Sequence, residues 1–575
     1  MSSQPGASTN TDSNTDKKLA ENELSTVSSN APPVAASASA TPTREPKEPK
    51  DSKRTSRLLA QTENQLFTVT NRVAAHKLIS DGMDMNASNV LGETPLHAQV
   101  MRNNFEVVVA LLSRGASPEP KDNKDNTPLH FAVFYNAKTI IVKCLVVFGA
   151  KTTDPNKNGY SALSLVQKSM PSKRKDELLA VLSLGAGTTV HAKPNNSAIS
   201  HVRLQLRKDS LAQGKLDDDE TGVNADPPPI PPRKRKRKEN VLCLDGGGIR
   251  GMILIQLLMS IEEQLDRPIV EYFDWISGTS TGGILALCLA KGVNTLMFQC
   301  DCFADTVFFG KRPYKSEPLE DLLKSLFGED TPMSAIERPR LLIPACMADQ
   351  IPLNLHFFRN YPHPQGSRKS VANIAPQHQN SHKKEVEDCH TQLMWKAGRA
   401  TGAAPTYFRS YGGYLDGGLI ANNPTLDALT EIFDYFNYLK MEGLPEQIPE
   451  LGTVISLGTG ISPPEAIVHF DIFRPETFAE LKKAPRILTG FSTLGRMIVT
   501  QATDTDGRVV DRSKTWCHSM GIPFFRFSPL LSRYVPLDCT DDETLIESLW
   551  ETRLYAANQM SKMRRLSDIL RRTRE

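Results

Sequence analysis

Ser280 lies in Gly278-Thr279-Ser280-Thr281-Gly282, after the short apolar run Phe273-Asp-Trp-Ile276 and before the longer one Ile284–Ala290. A serine so placed suits nucleophilic attack. A strand-to-helix turn that lifts its oxygen clear of a sheet needs neighbours without β-carbons, which Gly278 and Gly282 supply. The helix that follows points its N-terminus at the serine, where unpaired N–H groups and the positive dipole end can hold an oxyanion. Upstream, the strand-like Val241-Leu-Cys-Leu244 runs into Asp245-Gly246-Gly247-Gly248-Ile249-Arg250-Gly251 and then a helical run from Met252. The amides of Gly246, Gly247 and Gly248 at that second helix start offer further donors for an oxyanion. Downstream, Tyr414-Leu-Asp416-Gly417-Gly418 places an aspartate at a strand end before two glycines. Alone, Asp-Gly-Gly is an ordinary turn. With Ser280 in the same crevice, Asp416 can accept the serine proton directly.

Two other chemistries compete. Gly246-x-Gly248-x-x-Gly251 also fits a dinucleotide-binding turn, but no acidic residue closes a second strand at the required distance, since Asp266 and Glu271 fall in the helix-to-strand connection. No Lys-Ser/Thr follows the glycines, which excludes a P-loop. A Ser–Asp–His triad would need a histidine after the aspartate, and His469 and His518 are the candidates. Neither sits in a glycine-rich loop behind a clear strand, so neither is expected to act as a triad base.

The elements that position these residues must come from a chain of 575 residues, enough for two or three domains. The net charge of +3 argues against a dedicated nucleic-acid binder. The N-terminus has no basic-then-apolar signal pattern, and nowhere do eighteen apolar residues run together. Nine cysteines without a C-x-x-C pair suggest free thiols in a reducing compartment, and the close pair Cys300 and Cys302 lacks adjacent histidines for zinc. A cytoplasmic protein is expected.

Residues 1–57, rich in Ser, Thr, Ala and Pro with almost no aromatics, read as a disordered tail. Residues 58–187 repeat: Thr94-Pro-Leu-His97 and Thr127-Pro-Leu-His130 are 33 apart, and Gly82, Gly115, Gly149 and Gly185 close successive helical stretches. This resembles the ankyrin repeat, about four copies forming an all-α solenoid for protein contacts, with the histidines pinning loops rather than catalysing. Residues 188–238 read as a linker, Pro-rich at 227–232 and cationic over Arg233–Lys238, the latter either a solvated hinge, a nuclear-entry signal or a contact for anionic lipid. Residues 239–575 read as an α/β domain, with Arg340–Ala345 and Gly452–Leu457 as further buried strands and helices on both faces of the sheet. Residues 362–390 carry His363, His378, His382 and His390 without metal-ligand regularity and read as a surface insertion. Leu481–Val499 mixes cations with bulky apolar residues, either an interfacial segment or a packed helix. Met560–Arg572 is a basic amphipathic stretch, read as a solvated terminal helix or as a site for calmodulin or an anionic surface.

Taken together, Asp245-Gly-Gly-Gly-x-Arg250-Gly251, Gly278-Thr-Ser-Thr-Gly282 and Asp416-Gly417-Gly418 resemble the patatin-like phospholipase family. Repeats ahead of that domain, with Arg312-Pro-Tyr314, His356-x-x-x-Asn360-Tyr361 and Gly402-Ala-Ala-Pro-Thr-Tyr-Phe408, are similar to its calcium-independent phospholipases A2 of group VI, beta type. The resemblance implies a three-layer α/β domain that hydrolyses the sn-2 ester of glycerophospholipids without metal or other cofactor. Ser280 would be the nucleophile, Asp416 the base, and the amides of Gly246, Gly247 and Gly248 the oxyanion hole. It further implies a phospholipid membrane surface as partner, peripheral attachment to it, calmodulin at the C-terminal segment and a homodimer. The reading that competes from another class is an ankyrin scaffold whose hydrolase-like domain binds lipid or nucleotide without turnover.

Overall fold

Alternation along the first strand shows how the catalytic half is layered. In the structure, a computed structural model, Val241 and Cys243 point into one buried cluster and Leu242 and Leu244 into another, on opposite faces of a single sheet. Residues 64–169, 172–185, 237–293, 311–349, 351–362, 388–463 and 504–574 are described. The expected tail, most of the linker, the 481–499 stretch, His363, His378, His382 and His469 lie outside them.

The sheet comprises β1 (Lys238–Leu244), β2 (Trp275–Gly278), β3 (Arg340–Met347), β4 (Asn354–Arg359), β5 (Tyr414–Asp416), β6 (Glu450–Leu457) and β7 (Phe524–Phe527). Its order is β4-β3-β2-β1-β6-β7, with β5 also on β3. From β3 to β7 the pairings are parallel, whereas β4 and β5 run antiparallel to β3. One face carries the apolar helices Gly251–Glu262 and Thr281–Lys291, and Thr425–Met441 covers the other through Ala428, Leu429, Ile432 and Phe436. The fold is thus α/β in three layers, and its sheet is mixed.

The repeats form helices α1 (Arg72–Ser80), α2 (Pro95–Met101), α3 (Phe105–Ser113), α4 (Pro128–Phe134), α5 (Thr139–Val147), α6 (Ala162–Ser169) and α7 (Ser172–Gly185). Among the described residues, three complete helix pairs therefore follow one leading helix. Pro95 and Pro128 sit at N1, where a missing N–H costs nothing, and Thr94 and Thr127 cap with the histidine at N3. His97 and His130 are buried, and each reaches with Nε2 to a backbone carbonyl in the next repeat, Asn126 at 3.1 Å and Tyr160 at 3.0 Å. Burial lowers both imidazole pKa values, so they serve as neutral pins.

Two sequence expectations need correction. The cationic run does not end outside the fold: Arg237 pairs with Asp274 at 2.7 Å and Lys238 opens β1. The buried Asp274 gives that end of the run a partner the sequence does not show. Nor is the C-terminal segment solvated. The helix Met560–Arg574 buries Met563, Leu566 and Leu570, and Asn240 of β1 donates to Thr573 Oγ1 at 2.8 Å. Its apolar stripe is part of the core, and Arg564, Arg565 and Arg572 stand on the exposed side.

Candidate active site

The site follows from two strands meeting end to end on one edge of β3. β2 runs parallel to β3 and pairs it from Arg340 to Leu342, then ends. β5 runs the opposite way along the same edge and pairs from Met347 down to Ala345, which is opposite Asp416. The carboxyl ends of β2 and β5 therefore face each other across the level of Pro344. The turn that carries Ser280 and the strand end that carries Asp416 are delivered to one point, 136 residues apart in the chain.

Ser280 Oγ donates to Asp416 Oδ2 at 2.7 Å. Ser280 holds φ +54° and ψ −123°, a region that costs a side-chain-bearing residue about 1–3 kcal/mol. Its surroundings enforce this. The Ser280 amide donates to Thr401 Oγ1 at 2.9 Å, and Thr401 in turn donates to the Pro344 carbonyl at 2.6 Å. Gly278 allows no substitute, since a β-carbon there would lie 2.1 Å from the Gly282 carbonyl oxygen. At the head of the helix Thr281–Lys291, Ser280 occupies the cap position.

Asp416 is 5% exposed and holds its other oxygen against the Gly418 amide at 2.7 Å. Burial raises its pKa to about 6, against the opposing pull of the Ser280 and Gly418 hydrogen bonds. A carboxylate so placed is a stronger base than a solvated one and is still ionised at neutral pH. Among the described residues no histidine touches it, and His518 is exposed at the end of the helix Arg508–Ser519.

The glycine turn lies against this pair, for a methyl added to Gly246 would stand 3.3 Å from Ser280 Cβ. Sequence reasoning offered three amides to an oxyanion, and the three differ in their hydrogen bonding. Gly246 N–H donates to the Asn422 carbonyl at 3.0 Å, while its own carbonyl accepts from Thr459 Oγ1 at 2.9 Å. Gly246 is a pinned support. The amides of Gly247 and Gly248 have no acceptor among the described residues, and Gly248 takes φ +56°. Gly251 lets the two helices cross closely, because a β-carbon there would meet Thr281 Oγ1 at 2.5 Å. Gly417 packs against the Pro344 carbonyl, where a β-carbon would approach to 2.4 Å.

Asp245, fully buried, pairs with Arg526 at 2.6 Å, and Arg526 also holds Asp506 at 3.1 Å and Ser456 Oγ at 2.8 Å. Burial raises the Asp245 carboxyl pKa while Arg526 pulls it back. The pair anchors the foot of the glycine turn. Arg250 ends the short turn Gly248–Arg250 with its Nε buried, and burial lowers its guanidinium pKa beside Tyr534 and Tyr407. Thr401, Asn422, Thr459 and Arg526 were not assigned roles from sequence. Thr401 directly precedes the Gly402–Phe408 stretch and Asn422 follows Gly418 by four positions, but no local pattern marks Thr459 or Arg526, whose partners are distant in the chain. At the edge of the 362–390 region, Asp388, Cys389 and His390 bring ligand-type atoms within 4.8 Å of one another, with Asp388 and His390 exposed and Cys389 buried.

Residues 242–429 match the family model for patatin-like phospholipase, and 68–158 match that for ankyrin repeats. The chain is 42% identical over 339 residues to the mouse 85/88 kDa calcium-independent phospholipase A2, covering 59% of this chain and 41% of that protein. It is 31% identical over 518 residues to an intracellular phospholipase A2 of Caenorhabditis elegans, covering 85% of this chain and 46% of that one. A cGAMP-activated phospholipase of Escherichia coli is 33% identical over 234 residues, covering 34% of this chain and 57% of its own length. The chain thus spans less than half the length of the two animal relatives.

Proposed function

We propose that this chain, in which a match to ankyrin repeats precedes a match to patatin-like phospholipase, is a calcium-independent phospholipase A2. The reading is carried by the 2.7 Å contact from Ser280 Oγ to Asp416 in a turn that holds the serine strained. Ser280 attacks the sn-2 acyl carbonyl as its proton passes to Asp416. The amides of Gly247 and Gly248, with the helix N-terminus at Thr281, hold the oxygen that becomes negative. Collapse expels the lysophospholipid oxygen, which takes the proton back from Asp416. Water, activated by the same carboxylate, then hydrolyses the acyl-serine and frees the fatty acid.

The substrate sits in a bilayer, so the enzyme works as a peripheral protein on phospholipid surfaces. None of the described helices is long and apolar enough to cross one. The repeats serve as a protein-binding module. Calmodulin capture of Met560–Arg572 would require that helix to leave the core, since its apolar side is packed there. Homodimerisation, a cytoplasmic location and nuclear entry through Arg233–Lys238 complete the reading.

The test is fatty-acid release from sn-2-labelled phosphatidylcholine in mixed micelles with excess chelator, comparing the wild type with Ser280→Ala. Release that survives chelation and disappears in the variant supports the proposal. Folded, lipid-bound wild type that releases nothing would favour a scaffold whose hydrolase-like domain only binds.

A further inference from the structure

The two amides assigned to the oxyanion belong to a turn whose outer wall comes from a distant loop. Leu537 accepts the Ile249 N–H at 2.8 Å through its carbonyl. That same oxygen would lie 2.3 Å from a β-carbon on Gly248, so it presses directly on the turn. The next residue, Asp538, is gripped by two side chains. Arg312 Nε and Nη2 donate to its two oxygens at 2.7 and 2.5 Å, and Tyr314 OH donates at 2.6 Å. Asp538 has 8% of its side chain exposed, and a forked guanidinium contact fixes orientation as well as distance.

The other end of the clamp is tied to the dyad. The Arg312 guanidinium stacks 4.2 Å above the Tyr407 ring, and the Tyr314 amide donates to the Tyr407 carbonyl at 2.7 Å. Tyr407 lies on the segment whose Thr401 receives the Ser280 amide and whose Ala403 carbonyl receives the Asp416 amide at 3.0 Å. One continuous stretch, 401–407, therefore touches the nucleophile, the base and the clamp.

We infer that Asp538 is a positioning residue for the oxyanion site: held by Arg312 and Tyr314, it sets the Leu537 carbonyl that keeps the Gly247–Gly248 amides in place relative to Ser280. It touches neither substrate nor dyad. The inference rests on the proposed acyl hydrolysis.

The experiment uses the full chain with Asp538→Ala, Arg312→Ala and the double variant, each checked for a wild-type thermal midpoint. Arg312 is 45% exposed, so its variant remains informative should Asp538→Ala fold poorly. Removal of an oxyanion donor costs about 10²–10³ in kcat, and displaced donors should cost about 10–100-fold. With a soluble ester, kcat should fall by that factor while KM stays within about twofold. Affinity for a trifluoromethyl ketone, whose adduct on Ser280 carries the oxyanion, should fall in parallel, while a non-hydrolysable ether analogue binds unchanged. The double variant should be no worse than Asp538→Ala alone, because without the carboxylate Arg312 has no clamp left to hold. Equal loss of ketone and ether binding, or an unchanged kcat in folded variants, would overturn the inference alone. A wild type without hydrolysis would remove the functional reading first and this inference with it.

Discussion

Replacing Asp416 by asparagine should stabilise the protein while stopping catalysis. The folded carboxyl pKa is raised from 3.8 to about 6, chiefly by burial, so the fold favours the protonated acid. Its favourable contribution is complete below about pH 3.8 and is lost as pH rises through about 6. Above that, the folded state carries an ionised group that the unfolded chain solvates better. Two pK units and a fraction, at 1.36 kcal/mol each, give a penalty of about 3 kcal/mol. Asparagine has nearly the same shape, can accept from Gly418 and donate to Ser280, and carries no charge to desolvate. Urea unfolding at pH 7.5 should therefore show Asp416→Asn more stable by about 3 kcal/mol, narrowing to about 1.5 kcal/mol at pH 5, where the folded wild type is already mostly protonated. Hydrolysis should drop by about 10³-fold or more through loss of the base, and wild-type kcat/KM should fall as pH drops below about 6. A variant no more stable than wild type at pH 7.5 would refute the reasoning, for the aspartate would then be ionised in the fold at no cost.

Gly278→Ala should leave little activity, because its β-carbon would stand 2.1 Å from a backbone oxygen and the nucleophile turn must open; the overpacking should cost about 1–3 kcal/mol in denaturant titration, and full activity would contradict it. Arg526→Met strands Asp245 and Asp506 without their shared cation, and chemical unfolding should show a loss of about 3–5 kcal/mol at neutral pH. His518→Ala should keep hydrolysis within about tenfold of wild type, since loss of a triad base costs several powers of ten; a collapse in rate would restore the triad. Lys143→Glu should loosen the seat of the repeats, where Lys143 meets Glu547 at 2.7 Å, by under about 1 kcal/mol, and Glu547→Lys beside it should restore protease resistance at the junction.

The chemistry-bearing turns were legible because their demands are local. A strained serine needs small flanking residues within four positions, so Gly278, Ser280 and Gly282 announce themselves wherever the chain is going. The ankyrin units were legible for a similar reason, as Thr-Pro-Leu-His caps and left-handed glycines recur at fixed spacing. Other features depended on which segments meet. That β5 runs against β3, and so brings Asp416 head-on to Ser280, is a matter of sheet order and direction. That Gly246 gives its amide to Asn422 while Gly247 and Gly248 keep theirs is decided by a partner 176 positions away. The basic C-terminal helix reads as a solvated or membrane-ready amphipath because residue types report a polar face and an apolar face. Only the space beside β1 and β6 determines that the apolar face is already filled. Short-range sterics and hydrogen-bonding capacity are written in residue types and spacing, whereas the use of each remaining donor, charge and apolar face depends on contacts that exist only once the chain has closed on itself.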